Sequence, residues 1–170
     1  MDPLSREDLY SLEQYSVERG DFRASVLEHK KNRRVCIGPN LSLYFEDRLT
    51  IQYQVQEMLR IEKIFEADAI QEELDAYNPL IPNGSNLKCT TMLEFGEVAV
   101  RKERLAQLVG IEHLVWLQVD GHDRVFAISN EDLERSTEEK TSAVHFMRFE
   151  LTDEMKSSLL AGAGLTFGTD

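Results

Sequence analysis

Two glutamates on one stretch of chain raise the first chemical question. The segment TIQYQVQEMLRIEKIF, Thr50 to Phe65, has helical spacing, and a helix is expected over residues 50–66. At about 100° per residue, Ile51, Val55, Met58, Leu59 and Phe65 form one apolar stripe. Glu62 falls inside that stripe. A second, partial stripe holds Tyr53, Ile61 and Ile64, and Glu57 lies among them. Burying a polar group without relief costs roughly 2–7 kcal/mol, and a charge costs more. Each acid therefore calls for a cation, hydrogen-bond donors or a metal. Arg60, three residues after Glu57, is placed to pair with it. Glu62 has no such neighbour, so Arg48, Arg135 and Arg148 are its candidate partners.

Three outcomes compete for this helix. The plain one is a structural ion pair, or a helix end at which Glu62 reaches solvent, and it is the favoured one. The second is a contact surface made of Gln54, Gln56, Glu57 and Arg60. The third is a catalytic or metal site on Glu57 or Glu62. Helical metal sites use Glu-x-x-His or His-Glu-x-x-His spacing, and the chain contains neither. No metal or cofactor is expected.

Other side chains invite the same weighing. His145 shares a strand face with Ala143, Met147, Phe149 and Leu151, where it could serve as acid or base. A core histidine bonded to a neighbour is the commoner outcome in such a row. Arg148 lies on the opposite face with Val144 and Phe146, reaching a buried acid or covering the sheet with its stem. Ser136 has no G-x-S-x-G elbow around it; with Glu139 three residues on, it reads as a helix-capping motif. Cys36 and Cys89 are not in a CxxC pair and read as buried, inert thiols. The basic run HKKNRR, His29 to Arg34, could hold an anion but more often marks a solvated helix end.

The net charge of −12 disfavours a phosphate backbone as partner, so no nucleic acid is expected. No apolar run approaches the ~20 residues of a membrane span, and the first residues lack the apolar core of a secretory signal. A cytoplasmic protein with a single domain over residues 1–170 is expected.

The elements that must position these residues come in a mixed order. A helical N-terminal segment is expected over about 5–33, with Asp21 capping its second helix. RRVCIGPNLSLYFED reads as strand, turn and strand, with Leu41, Leu43 and Phe45 on one face. Helices over 50–66 and 67–77 follow, then the alternating strand LKCTTMLEF and a helix near 97–109. HLVWLQVDGHDRVFAIS is a hairpin around Asp120-Gly121, TSAVHFMRFEL another strand, and TDEMKSSLLAG a closing helix capped by Thr152. Hairpins with helices before and between them predict an α+β fold. Its mainly antiparallel sheet has about five to six strands, packed with the N-terminal and central helices. Unpaired strand edges leave a two-fold homodimer open.

At FEDRLTIQYQVQEMLRIEKI, YNPLIPNGSN, GIEHLVWLQV and EDLERSTEEKTSAVHFMRFEL the chain resembles an uncharacterised bacterial family, domain of unknown function 3501. The match extends over nearly the whole chain. The resemblance implies a bacterial, cytoplasmic protein. It also implies a place near rubrerythrin-like and iron–sulfur oxidoreductase-like proteins, beside which members are often encoded. The family supplies no catalytic residues. Its matching segments contain Glu46, Arg48, Gln54, Gln56, Glu57, Arg60 and Glu62, the same helix singled out by periodicity. The expectation is a non-enzymatic accessory or binding protein in a redox or stress-response system. The alternative is an enzyme or small-molecule binder with a carboxylate–arginine pocket around Glu46, Arg48, Glu57 and Glu62, with His145 as acid or base.

Overall fold

The computed structural model describes residues 1–170. The chain is α+β and groups into two compact units. The first comprises residues 1–33 and 46–83, the second residues 34–45 and 84–170.

The first unit is helical. Helices α1 (Leu12–Lys30), α2 (Arg48–Glu62) and α3 (Ala67–Tyr77) carry it. Ser11 opens α1 by accepting the Gln14 backbone N–H. The expected break at Asp21 does not occur: α1 runs unbroken through it, because Gly20 and Asp21 lie inside the turn ladder rather than at its start. Asp47 caps α2 through the Thr50 N–H. That helix ends at Glu62, four residues earlier than periodicity suggested, and Lys63 takes the left-handed conformation at φ 56°. Leu4, Ile51, Val55, Leu59, Leu74 and Ile81 form the core of this unit. Tyr15 is fully buried, and the ring of Phe22 packs edge-on to those of Tyr10 and Tyr15.

The second unit is built on two antiparallel sheets. Strands β1 (Arg34–Ile37), β2 (Leu41–Phe45), β3 (Asn86–Leu93), β6 (Ile128–Ser129) and β7 (Val144–Glu150) form the larger, in the order β1-β2-β3-β7-β6. Strands β4 (Val115–Val119), β5 (Arg124–Phe126) and β8 (Leu165–Thr169) form the smaller, in the order β5-β4-β8. Alternation works as expected. Leu41, Leu43, Cys89, Leu93, Met147 and Phe149 from one sheet share a core with Val115, Leu117 and Val119 from the other. Helix α4 (Val98–Gln107) ends before Gly110, which turns at φ 88°, and α5 (Asp153–Leu160) is capped by Thr152 as its sequence predicted. β8 was not anticipated: LTFGT is short, with two apolar residues, and pairs along β4. Its Gly168 lies against the ring of Trp116, where a Cβ would come 2.3 Å from the indole. Trp116 in turn donates Nε1–H to Asp170 at 3.1 Å and carries the Arg124 guanidinium 3.9 Å above its ring. Cys89 is buried but Cys36 is exposed, because β1 lies at the edge of its sheet. No helix is long and apolar enough to cross a membrane.

Candidate functional site

The acid expected in the core does not sit there. Glu62 is the last residue of α2 and is exposed, in the helix-end outcome that the sequence favoured. Its apolar companion Phe65 lies beyond the helix, 69% exposed, because the stripe was extended past the point where the helix stops. None of Arg48, Arg135 and Arg148 serves Glu62. Arg48 pairs with Asp8 at 2.6 Å, Arg135 with Asp132 at 2.6 Å, and Arg148 with Glu131 at 2.7 Å and also with Glu150.

Glu57 is the better-covered acid of the helix. It accepts from Tyr15 Oη at 2.7 Å and from Arg19 Nε at 2.7 Å and Nη2 at 2.9 Å; Arg60 stands 3.7 Å away. Chiefly through the Arg19 bond, its carboxyl is held down to about 2. Gln56 is fully buried and bonded to the main chain of Tyr10, while Gln54 is half-buried. Glu46 accepts from Thr50 Oγ1 at 2.5 Å. Of the four groups of the anticipated carboxylate–arginine pocket, Glu46, Arg48 and Glu57 each take a separate partner, and Glu62 lies exposed at the helix end. The remaining two of the singled-out residues, His145 and Arg148, lie in the second unit.

There, His145 belongs to a cluster that sequence reasoning assembled only in part. Strand β7 directs it inward, and the turn at Ile111–His113, set by Gly110, directs Glu112 toward it. His145 is 1% exposed and Glu112 3%. Between them stand two hydroxyls. Ser136 Oγ donates to Glu112 Oε1 and lies 2.8 Å from Thr141 Oγ1; Thr141 Oγ1 lies 2.9 Å from His145 Nε2. Ser136 therefore does not cap a helix. Its segment forms a loop, bridged to Thr141, and its hydroxyl donates to the buried carboxylate, a charge-assisted bond. His145 Nε2 is also 3.0 Å from the Ser142 carbonyl, and Nδ1 is 2.9 Å from Asn130 Nδ2.

Burial raises the Glu112 carboxyl, but the Ser136 bond, its own N–H and the nearby histidines outweigh this and hold it below the usual carboxylate range. Burial lowers the His145 imidazole, with Glu112 opposing only in part. The ground state is therefore an ionised carboxylate beside a neutral histidine. Glu112, Asn130 and Ser136 also line an open groove of about 630 Å³, whose rim carries Glu131, Asp132, Glu134, Glu138 and Arg135. Such a site presents negative charge and hydroxyl oxygens, and it suits a cationic group. Glu112 had no signal in the sequence beyond its place before an apolar run; only the turn at Gly110 buries it.

The model of a family described as a protein of unknown function, DUF3501, matches residues 3–170. A crystal structure of a novel protein of unknown function from Burkholderia pseudomallei K96243 superposes with a TM-score of 0.95 at 56% identity, covering 99% of this chain and 88% of that one. No curated protein matches.

Proposed function

This chain belongs to the DUF3501 family, and we propose that it is an accessory or binding protein of a redox or stress-response system that engages its partner at the groove beside Glu112. One observation carries this: a carboxylate 3% exposed keeps its charge on hydroxyl and backbone donors, assisted by nearby histidines and without a lysine or arginine in ion-pair contact, at the wall of an open groove. A buried charge is ordinarily matched by an opposite one. A lysine or arginine of a partner supplies that match, and the acidic rim favours its approach. Turnover is less well supported. An acid held below its usual range has no proton to give near neutrality and is a weak base. His145, the other titratable member, spends both ring nitrogens on neighbours.

The redox setting comes from the family resemblance, and rubrerythrin-like and iron–sulfur oxidoreductase-like proteins are the partners to test. Capture from cells with the tagged chain at native expression level is expected to recover such a protein. The Glu112→Gln chain is expected to lose it. Recovery of neither kind of protein by the wild-type chain overturns the proposal.

A further inference from the structure

The hydrogen-bond directions around His145 are fixed by groups that can act in only one sense. Asn130, in the left-handed conformation at φ 55°, pairs with the main chain of Phe146 as a strand residue would. Its N–H donates to the Phe146 carbonyl at 2.8 Å, and its Oδ1 accepts from the Phe146 N–H at 3.2 Å. That leaves the Asn130 NH2 facing His145 Nδ1 at 2.9 Å. An amide NH2 only donates, so Nδ1 must carry a lone pair and the ring proton must sit on Nε2. Nε2–H then faces two oxygens, Ser142 O and Thr141 Oγ1. From there the donors lead toward the carboxylate: His145 to Thr141, Thr141 to Ser136 or Glu112, and Ser136 to Glu112.

We propose that His145 is a proton-operated latch on the groove wall: protonation of Nδ1 expels the Asn130 amide and releases the segment from Asn130 to Thr137. A proton on Nδ1 would point at the NH2 hydrogens. Flipping the amide to relieve that contact would turn NH2 hydrogens against the Phe146 N–H. Either way one of the Asn130 anchors is lost. The segment's other attachments are the Glu131 carboxylate on Arg148 at 2.7 and 2.8 Å, the Ser136 hydroxyl on Glu112 and Thr141, and the Arg135 guanidinium, 4.5 Å from the centre of the Phe146 ring. These do not depend on Asn130 and set how far the released segment can move. Residues Asn130 to Thr137 all line the groove. The latch thus rests on the proposed partner site and supplies its regulation.

The charges facing His145 are few. Glu112 and His113 come from the turn before β4, and Arg135 comes from the segment itself. Across the sheet its partner is Thr91 of β3, which is neutral. Glu112 favours the imidazolium; Arg135 and a protonated His113 oppose it. Burial opposes it most, so the proton arrives below the ordinary value of 6.5.

The test is backbone amide exchange on the isolated chain at about pH 7 and about pH 5, corrected for intrinsic exchange, with ring nitrogen shifts read on the same samples. The expected result is a lone pair on Nδ1 at the higher pH. Protection over Asn130 to Thr137 should fall by about tenfold or more at the lower pH, while Thr90 to Met92 hold. Asn130→Asp, whose carboxylate can accept from a protonated Nδ1, is expected to raise the histidine's titration and keep the segment protected. His145→Gln, which takes up no proton, is expected to abolish the step. Equal segment exchange at both pH values, or a proton on Nδ1 at neutrality, overturns the latch. No partner is needed for these measurements, so the latch and the partner site fail separately.

Discussion

Gln56 holds the main chain of Tyr10 from both sides. Its Oε1 accepts from the Tyr10 N–H at 2.6 Å, and its Nε2 donates to the Tyr10 carbonyl at 3.4 Å. A side chain from α2 thus does for the chain entering α1 what a neighbouring strand would do in a sheet. Gln56→Leu keeps the bulk and removes both bonds. It is expected to lower unfolding free energy by about 1–3 kcal/mol, read by urea titration. A loss below about 0.5 kcal/mol would show that water replaces the amide.

Glu57 predicts an acid limb. Its carboxyl is held down to about 2 against an ordinary 4.5, mainly by Arg19, with Tyr15 and Arg60 assisting. The unfolded chain therefore binds its proton first as pH falls. The Glu57 contribution is complete above about pH 4.5 and disappears as pH drops toward 2. Unfolding free energy measured across that window is expected to decline in the wild-type chain and to decline less in Arg19→Met. Identical slopes would assign the limb to other carboxylates.

Ser136→Ala tests the buried end of the hydroxyl chain. It removes the donor to Glu112 and leaves the charge on Thr141 and the backbone. Stability is expected to fall by about 1–3 kcal/mol at neutral pH, with the deficit shrinking in acid as Glu112 takes up a proton. A deficit independent of pH would mean that the hydroxyl contributes packing alone.

Thr152 accepts the Met155 N–H at 3.2 Å and opens α5. Thr152→Ala is expected to cost about 1 kcal/mol, and Thr152→Ser almost nothing. Thermal melts of the two variants separate a capping bond from the packing of the threonine methyl.

Much of this architecture was legible because it follows from local rules. Asp120-Gly121 between apolar runs announced the β4–β5 hairpin, and Gly121 turns at φ 82°. Leu43, Cys89 and Phe149 announced a shared core by alternation. Misjudgements came where periodicity continued past a stop. The stripe carrying Glu62 and Phe65 obeys helical spacing, but the left-handed Lys63 ends the helix first. At the candidate site, His145 was visible as a polar residue in an apolar row. Its partners were not, since Glu112, Asn130, Ser136 and Thr141 come from a turn and loops separated by up to 29 residues of sequence. Pairing of β6 with β7, and the bond of Ser129 on β6 to the Glu112 carbonyl, bring those loops together, and no short-range rule encodes that.

The indole enclosed by Gly168, Arg124 and Asp170 is the chain's single tryptophan, and it sits in the three-stranded sheet. Its emission consequently reports on one unit alone. Helices α1, α2 and α3 belong to the other unit and supply most of the helical ellipticity. Following both signals through one denaturation would show whether the halves melt as a single cooperative body, with no label introduced.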